Sequence, residues 1–151
     1  MSFWNQLRIG TTALNAQRTR MDVISNNIAN AETTRTAAGG PFQRQDVIFA
    51  EDEKNTFLPK FARARRGEDI NTSADQVGVR VAQLKTDTTE GQRVYDPTHP
   101  DADETGYVTY PNVNMVVEMT NMLSATRSYE AGLAVINFAK TMATRAIDIG
   151  R

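Results

Sequence analysis

The sequence predicts an α+β protein that is mainly helical, with long N- and C-terminal helices paired as a coiled coil and a small central β insert or ribbon. Apolar residues recur every three or four positions at both ends of the chain, and short alternating segments occupy the middle. Most charged residues lie between Arg35 and Glu104, whereas the ends are rich in Thr, Asn, Ser, Gln and Ala. Exposed helices normally carry Lys and Glu, so we expect other protein to cover both ends.

The N-terminal helix is predicted from Phe3 to Asn30, because no proline interrupts a pattern that alternates steps of four and three. Asn30, two threonines and then Gly39-Gly40-Pro41 mark its end. The seam is imperfect, since a glycine and a glutamine stand at inward positions. Its members are Phe3, Leu7, Gly10, Leu14, Gln17, Met21, Ile24, Ile28 and Ala31.

The C-terminal helix is predicted from about Asn112, just after Pro111, to Ile149. Its inner seam and a second apolar stripe together span an arc of roughly 200°, about twice what one packing partner covers. The N-terminal helix can cover only one of the two, so we expect another molecule to cover the other. The predicted seam is Met115, Met119, Met122, Thr126, Tyr129, Leu133, Ile136, Lys140, Ala143 and Ile147, and the second stripe is Ala131, Val135, Phe138, Met142 and Ile149.

Short β patterns lie between the two helices. Strands are predicted at residues 44–49, 77–84, 93–95 and 106–110, and residues 51–75 are expected to form a long loop or ribbon tip. These boundaries predict a discontinuous terminal-helix domain, residues 1–34 and 112–151, and a central β-rich insert, residues 35–111.

Composition and local motifs predict neither catalysis nor a cofactor. The chain has no cysteine, which excludes disulfides and thiol chemistry. His99, the only histidine, lies in a proline-rich turn that makes a poor site for acid–base chemistry. Residues 101–106 match the opening of a calcium loop, but the twelfth position is Asn112 where a glutamate is required. The sequence therefore predicts no metal.

No nucleic-acid partner or membrane span is predicted either. The net charge is −1, and acidic neighbours offset the basic stretch at residues 60–66. No window approaches the ~20 apolar residues that a span requires. Residues 1–8 lack the basic and apolar regions of a Sec-type signal peptide. We expect either a cytoplasmic protein or export without a cleaved signal.

Two long motifs resemble the signatures of the flagellar rod and hook axial proteins. Residues 14–30, with Ser25-Asn26-Asn27-Ile28-Ala29-Asn30 at their centre, are similar to the N-terminal signature. Residues 112–119 and the later Ser128-Tyr129-Glu130-Ala131 are similar to the C-terminal one. Within this family, the short length and residues 33–41 and 95–108 resemble a proximal-rod subunit. Gly132 departs from the pattern, which usually has asparagine there.

The resemblance implies a structural subunit of the proximal rod that polymerises through its terminal helices into the axial tube. The implied partners are copies of itself, other rod proteins and the flagellar type III export apparatus, and the implied location is the basal-body rod where it crosses the periplasm. We expect asparagines of the N-terminal motif to cap backbone and bond between subunits, and Gly132 to allow close helix approach. The predicted assembly residues are Leu7, Leu14, Met21, Ile24, Asn26, Asn27, Ile28, Asn30, Met119, Met122, Tyr129, Gly132, Leu133, Val135, Ile136, Phe138, Met142 and Ile147.

Three alternatives stay open at this point. Another rod or hook subunit would share the ends, although hook and distal-rod types carry larger middles. A cytoplasmic coiled-coil adaptor would show charged residues flanking the seam, which these helices mostly lack. A calcium-dependent hydrolase would need the missing twelfth ligand and a base.

Overall fold

The computed structural model describes residues 3–52 and 78–150. Two long helices, α1 (Phe3–Ala29) and α2 (Met115–Ile149), bracket four strands: β1 (Gln45–Asp52), β2 (Gly78–Thr86), β3 (Arg93–Tyr95) and β4 (Tyr107–Thr109). The predicted mainly helical α+β architecture, with terminal helices and a small central β region, is confirmed. In the described ranges, no helix combines the length and apolar character needed to cross a bilayer.

Asparagine side chains cap the C-terminal end of α1 and the N-terminal end of α2. At the end of α1, Asn30 Nδ2 donates to the carbonyl oxygen of Asn26 at 2.9 Å. Asn30 keeps a negative φ, so it closes the helix without the left-handed conformation that asparagine tolerates. At the start of α2, the Asn114 side chain accepts from the backbone amides of Val116 and Val117 at 3.0 and 3.2 Å. The predicted start at Asn112 is therefore wrong by three residues, because the N-cap is Asn114 in an extended conformation.

The two helices pack antiparallel along most of their length. The facing pairs, from one end to the other, are Gly10 with Ile136, Leu14 with Gly132, Met21 with Thr126, and Asn27 with Glu118. The predicted pairing of the terminal helices is thus present, and each helix places a glycine against a branched side chain of the other.

The face that α2 turns toward α1 is only partly the predicted one, since the covered residues of the predicted seam are Met122, Thr126, Tyr129, Ile136 and Ala143. Met119, Leu133, Lys140 and Ile147 were predicted in the inner seam, yet all are exposed. The covered positions also recur in steps of four and three, and they are Glu118, Met122, Ala125, Tyr129, Gly132, Ile136, Ala139 and Ala143, flanked by Asn121 and Thr126. Ala125, Gly132 and Ala139, at every seventh position, let the helix backbones approach closely.

β1 and β2 form an antiparallel ribbon that lies along α1. Gln45 pairs with Thr86 at one end and Asp52 with Gly78 at the other, with a bulge between Ile48 and Phe49. Since Asp52 belongs to β1, the predicted loop does not begin at residue 51. The rest of that predicted loop, and the basic stretch at residues 60–66, lie outside the described residues.

The far end of the ribbon is attached to α1 by Thr12. Its hydroxyl accepts from the amide of Val79 at 3.2 Å and donates to the carbonyl of Ile9 at 2.8 Å. A Cβ at Gly78 would lie 2.8 Å from the same hydroxyl oxygen. This contact holds the start of β2 close to the helix.

β3 and β4 pair antiparallel in a second, shorter sheet, which follows the ribbon and precedes α2 along the chain. Tyr95 and Tyr107 contact edge to face, with ring centres 5.2 Å apart, and Arg93 lies over the Tyr107 ring. Gly91, just before β3, lies directly against the backbone of Tyr110, so a Cβ there would overlap the carbonyl oxygen. That contact holds Gly91 against the segment that joins β4 to α2.

Candidate assembly surface

An apolar stripe on α2 remains uncovered beside its contact with α1. This outer stripe consists of Ala131, Val135, Phe138, Met142 and Ile149, the second stripe of the sequence pattern. Val135 is 63% exposed, Phe138 73% and Met142 59%. Burying a side chain of this size stabilises a protein by about 1.5–3 kcal/mol. Covering the outer stripe with another molecule would therefore be energetically favourable.

A second exposed apolar patch lies near the beginning of α2. Val116 is 74% exposed, Leu123 62% and Met119 51%. Only Met119 was among the predicted assembly residues. Val116 and Leu123 were missed because they belong to neither seven-residue pattern, and their apolar character at off-seam positions was the signal available.

The two helices are covered to different extents by the rest of the chain. α1 contacts α2 on one side and the β1–β2 ribbon on the other, and it contains the buried residues Ala16, Ile24 and Asn27. α2 makes its helix contacts with α1, and its buried residues are Glu118, Ala125 and Ala139. Large exposed apolar residues therefore concentrate on α2.

The asparagines of the N-terminal motif have different environments. Asn27 is fully buried, and its side chain bonds to Gln45 and Glu118 of the same chain. The expectation that Asn27 bonds between subunits is therefore wrong. Asn26 is exposed, and Asn30 bonds to Asn26 and accepts from the Thr33 hydroxyl, so capping is the role that the structure gives to Asn30.

Glu118 lies at the centre of a buried polar cluster. Its side chain is 1% exposed, and Oε1 accepts from Arg44 Nη2 at 2.9 Å and from Arg44 Nε at 3.0 Å. Asn27 Nδ2 donates to Oε2 at 3.2 Å, and Asn121 Nδ2 donates to Oε1 at 3.3 Å. The sequence pattern gave no role to Arg44 or Glu118, because their contact joins segments 74 residues apart.

Gly132 lies in the contact between the two helices of one chain. A Cβ at this position would be 2.9 Å from Leu14 Cδ2. Close helix approach at Gly132 is thus present, but the neighbour is Leu14 of the same chain.

The carboxylates of Asp101 and Asp103, in the acidic turn at residues 101–106, accept hydrogen bonds from within the chain. The Asp101 carboxylate accepts from the Thr34 hydroxyl at 2.8 Å. Asp103 Oδ1 accepts from the Thr105 hydroxyl at 2.6 Å and from the Tyr107 amide at 3.0 Å. These bonds, the Thr105 hydroxyl first, lower the pKa of Asp103 to about 2. Within residues 3–52 and 78–150, no cluster of three or more His, Cys, Asp or Glu side chains could hold a metal ion.

Paired terminal helices with an uncovered apolar stripe are typical of a class of structural protein, the subunits of larger assemblies. Comparison with known proteins identifies the family. Residues 7–35 match the family model described as flagella basal body rod protein, and residues 104–149 match the one described as flagellar basal body rod FlgEFG protein C-terminal.

Relatives described as flagellar basal-body rod protein FlgC are similar over the full chain. The protein of Borreliella burgdorferi is 43% identical over 99% of this chain and 98% of its own. Those of Bacillus subtilis and Salmonella typhimurium are 36% and 34% identical over the whole of both chains. The chain belongs to the FlgC family of flagellar basal-body rod proteins and is a structural subunit of that rod.

Proposed function

We propose that the chain polymerises in the proximal part of the rod, with copies of itself and with other rod proteins, through the outer stripe of α2. The observation that carries this proposal is the exposure of Val135, Phe138 and Met142 next to a helix contact that already uses the neighbouring face. In a tube of packed helices, each copy would bury this stripe against the next. The role is structural, with no reaction, cofactor or metal.

The predicted assembly residues divide into two groups in this proposal. Inward residues act indirectly, because they hold α1 against α2 and so give the outer surface its shape. Outward residues contact the neighbouring subunits. The inward group is Leu7, Leu14, Met21, Ile24, Asn27, Ile28, Met122, Tyr129, Gly132 and Ile136, and the outward group is Asn26, Met119, Leu133, Val135, Phe138, Met142 and Ile147, with Asn30 as the cap of α1.

The terminal helices are the polymerising domain in this proposal, and residues 35–111 are the insert carried on it. The ribbon packs against α1, which leaves more of the α2 surface available to neighbours. The proposal also includes delivery by the flagellar type III export apparatus without a cleaved signal peptide. A strain without that apparatus should then retain the chain inside the cell.

A charge on the outer stripe tests the assembly role. Phe138→Asp should leave the isolated chain as stable as the wild type, because Phe138 is 73% exposed. In a motile bacterium whose own rod subunit is replaced by this chain, the variant should be exported but should be missing from isolated basal bodies. Burying an unpaired carboxylate in the interface is the cause.

The matched control is Thr141→Asp, which adds the same charge at an exposed position of α2 outside the outer stripe. It should assemble and support swimming. Normal swimming by Phe138→Asp would contradict the proposal, since a buried stripe cannot accept an unpaired charge at this position.

A further inference from the structure

The carboxylate of Glu118 is buried where α1, α2 and the start of the ribbon meet. Four donors surround it: two nitrogens of Arg44, and the amides of Asn27 and Asn121. Arg44 is the only cation among these partners, and it immediately precedes β1. The helices therefore supply the charge and the amides, and the insert supplies the cation.

Without Arg44, this carboxylate would lose the cation that bonds to it, because Arg20 of α1 lines the same small cavity but forms no ion pair with Glu118. Glu118 faces Asn27 of α1 in the contact between the helices, and it is 1% exposed in the folded chain, where Arg44 also covers it. Removing an ionised carboxylate from water is strongly unfavourable unless a cation and hydrogen bonds replace the water. Burial of Glu118 between α1 and α2 is therefore compensated by Arg44, the cation that bonds to it.

Asn27 connects the same carboxylate to the ribbon. Its Nδ2 donates to the carbonyl of Gln45 at 2.7 Å, and its Oδ1 accepts from the amide of Gln45 at 3.0 Å. Asn27 thus pairs with the first residue of β1 as a neighbouring strand would. Separating the ribbon from α1 breaks these two bonds and withdraws Arg44 from Glu118.

We propose that Glu118, Arg44 and Asn27 form a latch that makes pairing of the terminal helices conditional on docking of the ribbon. The insert is then a requirement for the helix pair and not an independent appendage. Pairing and docking occur together, and a chain whose ribbon is undocked does not present the paired helices. This inference concerns folding of one chain and does not depend on the proposed mode of assembly.

Removing the cation tests the latch in the full-length chain. Arg44→Met keeps the length of the side chain and leaves Glu118 buried without a charge partner. The folding equilibrium constant from urea unfolding should fall by about 100-fold or more. The matched control is Arg93→Met, because the Arg93–Asp103 pair is also 3.0 Å long but largely exposed. That control should change the constant by less than about fivefold.

Removing both charges distinguishes a latch from ordinary packing. Arg44→Met combined with Glu118→Met should recover most of the lost stability, because the helices no longer bury an unpaired charge. Hydrogen exchange should then show α1 and α2 protected while β1 and β2 exchange faster than the helices. In the wild type, amides of the helix pair and of the ribbon should exchange at matching rates.

If Arg44→Met does not fold, Glu118→Met alone tests the latch. This variant removes the buried charge, and Arg44, which is 23% exposed and 4.0 Å from Asp46, turns toward solvent. The helices should stay protected while the ribbon loosens. The latch is refuted if Glu118→Met loosens helices and ribbon equally, or if the double variant is no more stable than Arg44→Met.

Discussion

Substitutions of graded size at Gly132 measure how closely the two helices approach. A Cβ at Gly132 would lie 2.9 Å from Leu14 Cδ2 and 3.6 Å from Leu14 Cγ. Because Cδ2 is the end of a flexible side chain, a small shift of Leu14 accommodates one methyl group. Alanine also gains about 1 kcal/mol of helix propensity over glycine. We expect Gly132→Ala to be as stable as the wild type, or more stable by up to about 1 kcal/mol.

Gly132→Leu should have the opposite effect. Its additional carbons have no space between α2 and Leu14, and overpacking of this kind costs about 1–3 kcal/mol. Urea unfolding followed by circular dichroism gives the free energy for each variant. Asn137→Leu, at an exposed position of the same helix, is the control and should change it little. Equal stability of the Ala and Leu variants at Gly132 would refute the close contact.

Three further perturbations test the insert and the start of α2. Gly91→Ala would place a methyl group against the carbonyl oxygen of Tyr110, so we expect the free energy of unfolding to fall by about 3 kcal/mol or more. An unchanged midpoint of thermal unfolding would contradict this. Asn114→Ala removes the N-cap and should lower the free energy of unfolding by about 1 kcal/mol. Asn114→Asp should keep most of the stabilisation by the cap, and equal losses of stability in the two variants would argue against capping. The pKa of Asp103 is about 2 in the folded chain, against an ordinary value of 3.8. Its stabilising effect is therefore present above pH 3.8 and lost as the pH falls through about 2. An NMR titration of Asp103 that gave an ordinary pKa would contradict the hydrogen bonds from Thr105.

Local patterns in the sequence were sufficient to predict the elements of the fold. The alternation of steps in the terminal segments predicted both helices, and α1 ends within one residue of the predicted Asn30. β3 has the predicted bounds, and the other three strands overlap the predicted ranges. These predictions succeeded because helix and strand periodicity depends on neighbours in the sequence.

The contacts between elements could not be predicted in the same way. On α2, the seam containing Met119 and Leu133 and the seam containing Ala125 and Gly132 are one residue apart, and both repeat every seven positions. Hydrophobicity favours the first, whereas close packing of Leu14 against Gly132 favours the second. Which one is covered depends on the shape of α1, and no local pattern in α2 contains that information.

The uneven cover of the helices explains why the ends of the chain lack charge. On α1, uncharged residues such as Thr12 and Asn27 are used within the chain, because the ribbon needs polar side chains that bond to backbone and fit closely. On α2, residues such as Val135 and Phe138 are largely exposed, so contacts within a single chain do not explain why they are apolar. The same compositional bias therefore has two causes. In α1 it reflects contacts that the folded chain already makes, and in α2 the proposed assembly surface accounts for it. A charge should therefore disrupt folding when placed at Asn27 and assembly when placed at Phe138.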